Sequence, residues 1–559
     1  MKTGLVLALA CTATLVLAAQ GVITPDLLHK SLSDSWPTYS GDYSGKRYSA
    51  LTHINQSNVK SLTLAWTRRL VAGAGPSGPP LPGEAPVITG GEGDVIFGGA
   101  TTVKGSILAI NGVLYVTAPD NVWALDANDG HVVWRYFWKT KGGTHIGNRG
   151  AGIWGHYLFF VTPDNYLISL DAKTGQERWH KELASFQQQY FHTMAPIVVD
   201  NHVLVGSSND LDMPGFLQSF DPETGALQWK WYATPQKVGD PGLDTWKNLD
   251  AAIHGGGHPW VPGSYDPETR LYIMGTGNPT PAYTSAPRGE GLDNLFTCAL
   301  VAVNVDTGKM AWYYQTSPHD THDWDSAQTP VLIDGEFNGR PRKMILTAAR
   351  NGYFFVVDRG TGEHLLTSKF SDSANWAKPQ LNAKGQPVRI PEKDHHVAGA
   401  LVSAANQGAA NWPPPSYSPQ TGLFYVPTTE TYALYYLTEP DPRGALGLGG
   451  KEERSVGTAG SYLTAIDYKT GKIVWKRQYR TVANTGLTAG LLTTAGRLLF
   501  AGDVNGNFVA YDSANGTPLW HTQLGANTTN APQTYLVDGK QYVLVAAGDA
   551  LYAFSLFAP

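Results

Sequence analysis

The stretch ALDANDGHVVW, residues 124–134, contains an apolar strand, a turn built on Asp and Gly, and a second strand that ends in Trp. Two strands joined by such a turn predict a β-hairpin. The same pattern returns six more times along the chain, which indicates a repeat architecture. The other copies are SLDAKTGQERW (169–179), SFDPETGALQW (219–229), AVNVDTGKMAW (302–312), VVDRGTGEHLL (356–366), AIDYKTGKIVW (465–475) and AYDSANGTPLW (510–520).

The distance between copies indicates the size of the repeated unit. Asp126 and Asp171 are 45 residues apart, Asp171 and Asp221 are 50 apart, and Asp467 and Asp512 are again 45 apart. A period of this length, with four short strands in it, is typical of one blade of a β-propeller. The Trp at a constant offset predicts a large ring on each outer strand that packs against the neighbouring blade.

Two partial units complete the predicted ring. SLTLAWTRRL, residues 61–70, is a lone strand that contains Trp66, and residues 533–556 form further strands without the Trp motif. Joining these two segments would close an eighth blade and leave no exposed sheet edge. The fold class predicted is therefore all-β, an eight-bladed β-propeller with four-stranded antiparallel blades. The alternative, several separate β domains in series, predicts disordered linkers, and only residues 71–100 have such a composition.

The domain prediction is one propeller over residues 20–559, preceded by a signal peptide at residues 1–19. Lys2, a short apolar run and small residues near Ala18 are typical of a cleavable secretory signal. A membrane anchor is the alternative interpretation. Residues near 71–106 precede the first full repeat and are predicted to be an insertion. The long intervals from Asp221 to Asn304 and from Asp358 to Asp467 each predict a blade plus an insertion, the latter interval with insertions near 367–407 and 438–458. Loops of this length are often functional. We expect these insertions to decide the substrate.

Composition excludes some classes of protein. The net charge is −5 and is spread without long runs, which argues against a nucleic-acid partner. Of the two cysteines, Cys11 would leave with the signal, so Cys298 is predicted to have no internal partner. The expected location is the periplasm. The oligomeric state stays open, with a homodimer as one option.

Five stretches between the repeats occur only once. In SPHDTHDWDSAQTP, residues 317–330, Asp323 and Asp325 flank Trp324, and alternation along the backbone predicts that both carboxylates point to one side. The other four stretches are HGGGHPW (254–260), GTGNPTPAY (275–283), AARNGYFFVVDR (348–359) and NWPPPSYSPQTGLFYVP (411–427). With these motifs in this order, the chain resembles the pyrroloquinoline quinone (PQQ)-dependent alcohol dehydrogenases, which are eight-bladed quinoproteins.

The resemblance implies a metal site. GTGNPTP places Asn278 as a ligand, and PHDTHD places Asp323 as both the catalytic base and a metal neighbour. The upstream acidic ligand falls on Asp210, in a segment one residue shorter than the family's, and the Asp side chain reaches less far than the family's Glu. Asp212 is a possible substitute. Asp325 resembles the second Asp of the lanthanide-using members. The implied metal is a lanthanide(III) ion or Ca²⁺.

Asp325 also has a structural interpretation, in which it caps a turn or accepts a backbone amide. The metal interpretation has physical support, because hard cations bind oxygen ligands and a trivalent ion gains from one more carboxylate. Two carboxylates so close together are also costly without a cation.

The resemblance further implies the residues that hold the quinone. Trp260 would stack on it, Arg149 would bind one of its carboxylates, and Arg350 would lie near its reactive carbonyl. The remaining residues implied are Thr193, Asn411 and Trp412. Taken singly, each could be an ordinary surface Arg or core Trp.

The chain departs from the family pattern at several positions. His322 stands where the family usually has Trp, and Pro214 replaces an Arg. Gly143 and Thr144 occupy the positions of two adjacent cysteines that form a disulfide over the quinone in many members. The sequence contains no CxxCH haem-attachment motif, so we expect electrons to leave to a separate acceptor, such as a cytochrome c.

The function predicted is oxidation of an alcohol by metal-assisted hydride transfer to PQQ, with Asp323 and Arg350 as catalytic residues. One alternative keeps the enzyme and changes its substrate to a sugar or polyol. The other is a propeller scaffold without catalysis. A scaffold has no reason to keep the set formed by Asp210, Asn278, Asp323 and Arg350.

Overall fold

The computed structural model describes residue 28 and residues 32–73, 85–95, 102–437, 451–479 and 489–557, and these are mostly β-strand. Three short strands precede the first complete blade: β1 (Tyr48–Ser49), β2 (Leu62–Arg69) and β3 (Val87–Gly90). The signal prediction at residues 1–19 lies outside the described residues, as do residues 74–84 and 96–101 of the insertion near 71–106 and residues 438–450 of the insertion near 438–458.

Eight four-stranded antiparallel units follow in the described residues. Blade 1 consists of β4 (Leu108–Ile110), β5 (Val113–Ala118), β6 (Asn121–Asp126) and β7 (Val132–Trp138). Blade 2 consists of β8 (Gly152–Trp154), β9 (Tyr157–Val161), β10 (Tyr166–Asp171) and β11 (Glu177–Glu182). Blade 3 consists of β12 (Ile197–Val199), β13 (His202–Gly206), β14 (Phe216–Phe220) and β15 (Leu227–Tyr232). Blades 4 and 5 are β16 (Ser264–Asp266), β17 (Leu271–Gly275), β18 (Ala299–Asn304) and β19 (Met310–Gln315); and β20 (Val331–Phe337), β21 (Arg340–Ala348), β22 (Tyr353–Asp358) and β23 (His364–Lys369).

The insertion after blade 5 contributes a separate hairpin and an extra strand: β24 (Ala377–Leu381), β25 (Pro387–Arg389) and β26 (Ala400–Val402). Blade 6 is β27 (Ser416–Ser418), β28 (Leu423–Leu437), β29 (Lys451–Asp467) and β30 (Ile473–Gln478), and blade 7 is β31 (Leu491–Thr494), β32 (Leu498–Gly502), β33 (Asn507–Asp512) and β34 (Pro518–Gln523). Blade 8 joins β2 to β35 (Gln533–Val537), β36 (Lys540–Ala547) and β37 (Ala550–Leu556).

The predicted eight-bladed propeller is confirmed, including the closure of its last blade. β2 pairs antiparallel with β37, with Leu62 opposite Leu556. Three blades carry an extra strand that four-stranded units do not predict: β3 beside β7, β1 beside β31, and β26 beside β28. The helical segments whose bounds are described are α1 (Leu249–Ile253) and the 3-10 turns at Val59–Ser61, Phe186–Gln188, Leu243–Thr245 and Pro391–Lys393. None of the helices in the described residues has the length and apolarity needed to span a membrane.

The repeated Trp docks onto the repeated Gly of the next blade. The Trp134 ring packs against Gly175, where an added Cβ would lie 2.6 Å from the ring. The Trp134 indole N–H also donates to the Ala172 carbonyl at 3.0 Å. Gly175 has a φ of +73°, which favours glycine, so this position combines a special backbone conformation with close contact.

This contact recurs from blade to blade around the ring. The rings of Trp66, Trp134, Trp179, Trp229, Trp312 and Trp475 pack against Gly130, Gly175, Gly225, Gly308, Gly362 and Gly516 in turn. Leu366 takes the place of the indole against Gly471, as expected from the repeat VVDRGTGEHLL (356–366), which ends in Leu instead of Trp. Trp520 reaches blade 8, where its indole N–H donates to the Leu62 carbonyl at 3.0 Å. The predicted structural role of these tryptophans is confirmed.

The strand directions define two ends of the propeller. In each antiparallel blade, the connection from the first to the second strand and the connection from the third to the fourth strand lie at the same end, and the Asp and Gly turns belong to this end. The connections between the second and third strands, and between blades, lie at the other end. We call this second end the site face.

A change at Gly175 tests the docking contact. We expect Gly175→Ala to lower the midpoint of thermal unfolding more than Gly339→Ala does. Gly339 has a nearly equal φ of +74° but no atom within 4 Å of an added Cβ, so it is a matched control for backbone strain alone. Forcing a methyl into the Trp134 ring adds a packing cost of roughly 1–3 kcal/mol. Equal midpoints for the two variants would contradict the docking interpretation.

Candidate active site

A cavity of about 470 Å³ opens on the site face. All ten residues that the sequence predicts for the site line it, although they are spread over more than 260 positions of the chain. They are Arg149, Thr193, Asp210, Trp260, Asn278, Asp323, Asp325, Arg350, Asn411 and Trp412. Each lies in a connection between blades or between the second and third strands of a blade. The propeller therefore brings together residues from blades 1 to 6.

The turn that carries the two aspartates is built around Asp320. Its carboxylate accepts the backbone N–H groups of His322 at 3.3 Å, Asp323 at 3.0 Å and Trp324 at 3.2 Å. Burial raises the pKa of Asp320 to about 6, although the Trp324 N–H and the charge of Arg288 lower it. These bonds hold Asp323 at a φ of +64°.

The turn contains no strand from residue 321 to residue 330, but its side chains still alternate. Asp323 and Asp325 border the cavity, whereas Trp324 is buried in the core and donates its indole N–H to the Ala405 carbonyl at 3.2 Å. The prediction that both carboxylates point to one side is therefore confirmed, because both line the same cavity and both lie near Arg350.

Arg350 is the positive charge between the two carboxylates. Its Nη2 lies 3.0 Å from Asp325 Oδ2, and its Nη1 lies 3.6 Å from Asp323 Oδ1. Burial lowers the pKa of Arg350, but Asp325 and Asp323 together raise it, and the net change is upward. One guanidinium thus offsets one of the two charges that the carboxylates bring to the cavity.

Asp325 accepts three hydrogen bonds or ion pairs from around the cavity. Its Oδ1 accepts the Asn278 backbone N–H at 2.5 Å, and its Oδ2 accepts the Trp260 indole N–H at 2.9 Å in addition to Arg350. The structural interpretation, in which Asp325 binds a backbone amide, therefore describes a contact that exists. A carboxylate has about four acceptor sites, so this contact leaves capacity for a cation.

The two candidate upstream acids face different cavities. Asp210 borders the main cavity with Asn278, and its side chain is 44% exposed and lies 3.7 Å from His145 Nδ1. Asp212 instead borders a neighbouring cavity of about 370 Å³, where it lies 3.5 Å from His254 Nδ1. Only Asp210 shares a cavity with Asp323, which favours it as the acid of the site.

Two indole rings and one guanidinium line another part of the cavity. Arg149 Cζ lies 4.5 Å from the ring centre of Trp260 and 5.0 Å from that of Trp412. Arg149 also donates from Nη1 to the Thr193 hydroxyl. Burial lowers the pKa of Arg149 to about 10. Asn411, by contrast, uses its side chain within its own loop, donating to the Gln407 carbonyl at 2.8 Å.

Glycine at 256 allows the Trp260 loop to approach the GTGNPTP loop, which carries Asn278. Gly256 has a φ of +74°, and an added Cβ would lie 2.7 Å from the Asn278 carbonyl oxygen. The HGGGHPW motif therefore packs its backbone directly against GTGNPTP. Neither a Cβ nor an ordinary backbone conformation fits at this position.

Sequence reasoning missed several residues of the cavity wall. His258 lies within the quoted HGGGHPW motif, and burial lowers its pKa to about 4. Its Nε2–H donates to the Met213 carbonyl at 3.0 Å and its Nδ1 accepts from the Ser207 hydroxyl at 3.0 Å, so it ties together the loop that carries Asp210. The other missed residues include Lys104, His145, Phe191, Asn209 and Gln407, which no motif indicated.

The match to a protein-family model shows which family this chain belongs to. Residues 36–388 and 456–543 match the family described as "PQQ: Glucose/ethanol/alcohol dehydrogenase, beta-propeller domain". The chain belongs to the PQQ-dependent alcohol dehydrogenases. It is an oxidoreductase of the quinoprotein type, as the sequence predicts.

Individual relatives agree with this assignment. The chain is 33% identical to quinohemoprotein alcohol dehydrogenase ADH-IIG of Pseudomonas putida, over 94% of this chain and 73% of the relative. It is 31% identical to quinoprotein alcohol dehydrogenase PedH of Pseudomonas putida, over 90% of this chain and 84% of the relative. Among solved structures, a europium-containing methanol dehydrogenase superposes with a TM-score of 0.81 at 28% identity, covering 94% of this chain and 98% of that one.

The residues present fit the two groups that the family uses. The Nε atoms of Arg149 and Arg350 are buried and have no hydrogen-bond partner among the described residues, which suits a ligand rich in carboxylate and carbonyl oxygens such as PQQ. Trp260 offers an aromatic ring beside both guanidiniums. Asp210, Asn278, Asp323 and Asp325 are all oxygen donors, the set that a hard cation prefers.

Proposed function

We propose that this quinoprotein oxidises an alcohol by hydride transfer, with Asp323 as the general base. The observation that supports this most directly is the pairing of Asp323 and Asp325 with one buried arginine inside the cavity of a PQQ-family propeller. When bound, PQQ with its metal ion supplies an electrophilic carbonyl carbon that accepts the hydride.

Asp323 is suited to accept the proton of the substrate hydroxyl. Its side chain is 20% exposed, so it can reach a substrate in the cavity without being fully solvated. Its backbone N–H donates to the Asp320 carboxylate at 3.0 Å, which fixes the backbone that carries the Asp323 carboxylate and pre-orients this group for proton transfer.

Arg350 supplies a permanent positive charge next to this base. It anchors the Asp323 backbone by donating from Nη1 to the Asp323 carbonyl at 2.9 Å, and it pairs with Asp325. We propose that its buried Nε–H donates to an oxygen that becomes more negative in the transition state. Arg149, Thr193, Trp260, Asn411 and Trp412 are proposed to hold the cofactor.

The proposed metal site consists of Asp210, Asn278, Asp323 and Asp325. Three carboxylates favour a trivalent lanthanide over Ca²⁺, because each anionic oxygen gains more from the higher charge. The structural similarity to a europium-containing methanol dehydrogenase supports this choice. Ca²⁺ remains the alternative ion.

An alcohol is the substrate class that the relatives' names support. A sugar or polyol is the second candidate, and a panel of alcohols, aldehydes and sugars separates the two. Family membership leaves no support for the scaffold alternative.

We also propose a separate cytochrome c as electron acceptor and the periplasm as location. The sequence has no CxxCH motif, and residues 1–19 have the layout of a secretory signal. Replacing the dye by a purified cytochrome c in the turnover assay tests the acceptor, and cell fractionation tests the location.

The base is tested by Asp323→Asn. We expect this variant to lose dye-linked alcohol oxidation by roughly 10²–10⁴-fold in kcat, because the amide cannot accept the proton. Asp334→Asn is the matched control, since Asp334 is 65% exposed, pairs with Arg359 and lies outside the cavity. PQQ binding is measured in parallel. Turnover close to the unchanged enzyme would refute the role of Asp323.

The metal assignment is tested by Asp325→Ser. In apo-protein reconstituted with PQQ, we expect the unchanged chain to be activated by La³⁺ better than by Ca²⁺, and the variant to lose activation by La³⁺ more than by Ca²⁺. Loss of one carboxylate weakens binding of a trivalent ion more than that of a divalent ion. Asp212→Asn should leave both activations unchanged, because Asp212 borders the other cavity. If Asp325→Ser keeps the same preference for La³⁺ over Ca²⁺ as the unchanged chain, Asp325 has a structural role and is not a metal ligand.

A further inference from the structure

The insertion between blades 5 and 6 contacts the turn that carries Asp323. We call residues 389–407 of this insertion the buttress segment. It comprises the end of β25, the 3-10 turn Pro391–Lys393, β26 and the loop that follows β26. The buttress segment contains none of the five stretches that resemble the family motifs.

The hairpin that precedes the buttress segment is anchored to two blades. The Gln386 amide donates to the Gln315 carbonyl of blade 4 at 2.8 Å. The Gly385 carbonyl accepts the hydroxyl groups of Tyr314 at 3.2 Å and Thr367 at 2.7 Å. Trp376 donates to the Asn351 carbonyl at 2.7 Å. The buttress segment therefore starts from a fixed point on the propeller.

The segment supports the turn before Asp323 through two side chains. The Thr321 hydroxyl donates to Asp394 Oδ1 at 3.0 Å, and Asp394 is held in turn by an ion pair with Arg389. His322 donates its Nε2–H to the Lys393 carbonyl at 2.8 Å, and its ring stacks on Trp324 with the ring centres 4.3 Å apart.

The same segment supports the other side of Asp323. The Ala405 carbonyl accepts the Trp324 indole N–H at 3.2 Å, and the Asn406 carbonyl accepts from Arg350 Nη1 at 3.3 Å. Gly408, just beyond the segment, packs against Arg350 so closely that an added Cβ would lie 2.5 Å from the Arg350 Cβ. Asp323 is thus flanked on both sides by residues that the insertion holds.

We propose that the buttress segment positions the base, and that Thr321 and Asp394 are positioning residues for Asp323. This inference rests on the proposed role of Asp323 as the base. Its physical reason is the backbone of Asp323, because a non-glycine residue with a φ of +64° keeps that conformation only where its surroundings enforce it. Asp320 enforces it from within the turn, and Asp394 enforces it from the insertion.

The test compares Thr321→Val, Thr321→Ser and Asp394→Ala in enzyme reconstituted with PQQ and La³⁺. We expect Thr321→Val and Asp394→Ala to lower kcat by about tenfold or more, because a base displaced by a fraction of an ångström loses its alignment with the substrate proton. KM and PQQ affinity should change by about twofold at most, since neither residue borders the cavity. Thr321→Ser keeps the hydroxyl and should restore most of kcat.

Asp372→Ala is the matched control. Asp372 lies in the same insertion and pairs with Lys476 at 3.0 Å, but its side chain is 84% exposed and it does not contact the turn. We expect its kcat to equal that of the unchanged enzyme. The thermal unfolding midpoint of every variant separates a local displacement from general loss of structure.

A second comparison separates this inference from the proposed function. If Asp323→Asn is inactive while Thr321→Val and Asp394→Ala turn over normally, the positioning inference alone is overturned. The inference is also overturned if the loss in kcat is accompanied by weaker PQQ binding and a lower thermal unfolding midpoint, because the change is then a general loss of structure. If Asp323→Asn itself turns over normally, the proposed role of Asp323 as the base is contradicted, whatever the result for Thr321 and Asp394. Adding Thr321→Val to Asp323→Asn should cause no further loss, because both act through one side chain.

Discussion

The contact between an indole ring on one blade and a glycine on the next is the interaction on which the rest of the structure depends. An isolated four-stranded blade would expose two apolar faces and its own sheet edges. In this chain each blade buries those faces against its neighbours, as in the cluster that joins Leu108 of blade 1 to Leu170 of blade 2. Trp520 on Leu62 and Trp66 on Gly130 carry the series across the chain ends. These repeated contacts position each blade against the next, and so position the connections that line the cavity.

A closed ring explains how distant residues can form one site. Every predicted site residue lies in a connection on the site face, and the blades hold these connections at fixed distances from one another. Asp325 contacts Asn278 from another blade connection, Trp260 from a third and Arg350 from a fourth. A buried charge needs such partners, because an unpaired carboxylate in the interior is strongly unfavourable. The charge network therefore depends on the ring of blades.

Much of the fold and of the site could be predicted from the chain alone, since both depend on short motifs with recognisable chemistry. The offset from Asp to Trp predicts the blades, and the resemblance to a family predicts which residues meet in the cavity. The choice between Asp210 and Asp212 could not be made in this way. These two acids are two positions apart in one loop, and only the folded loop directs one of them into each cavity. His258 and Asp320 were missed because their roles are hydrogen bonds to backbone groups, which leave no pattern in the sequence.

The amino-acid order is sufficient to specify a propeller of repeated hairpins and to place a quinoprotein constellation between them, because strand alternation, turn chemistry and motif identity are local properties. The tertiary structure determines the contacts between distant segments, which local properties do not determine. It sets the pairing of Asp325 with a backbone amide, an indole and a guanidinium at once, and it places the insertion after blade 5 against the turn of Asp323. These contacts join segments separated by tens of residues. Their geometry depends on the packing of whole blades, and no stretch of sequence contains that information by itself.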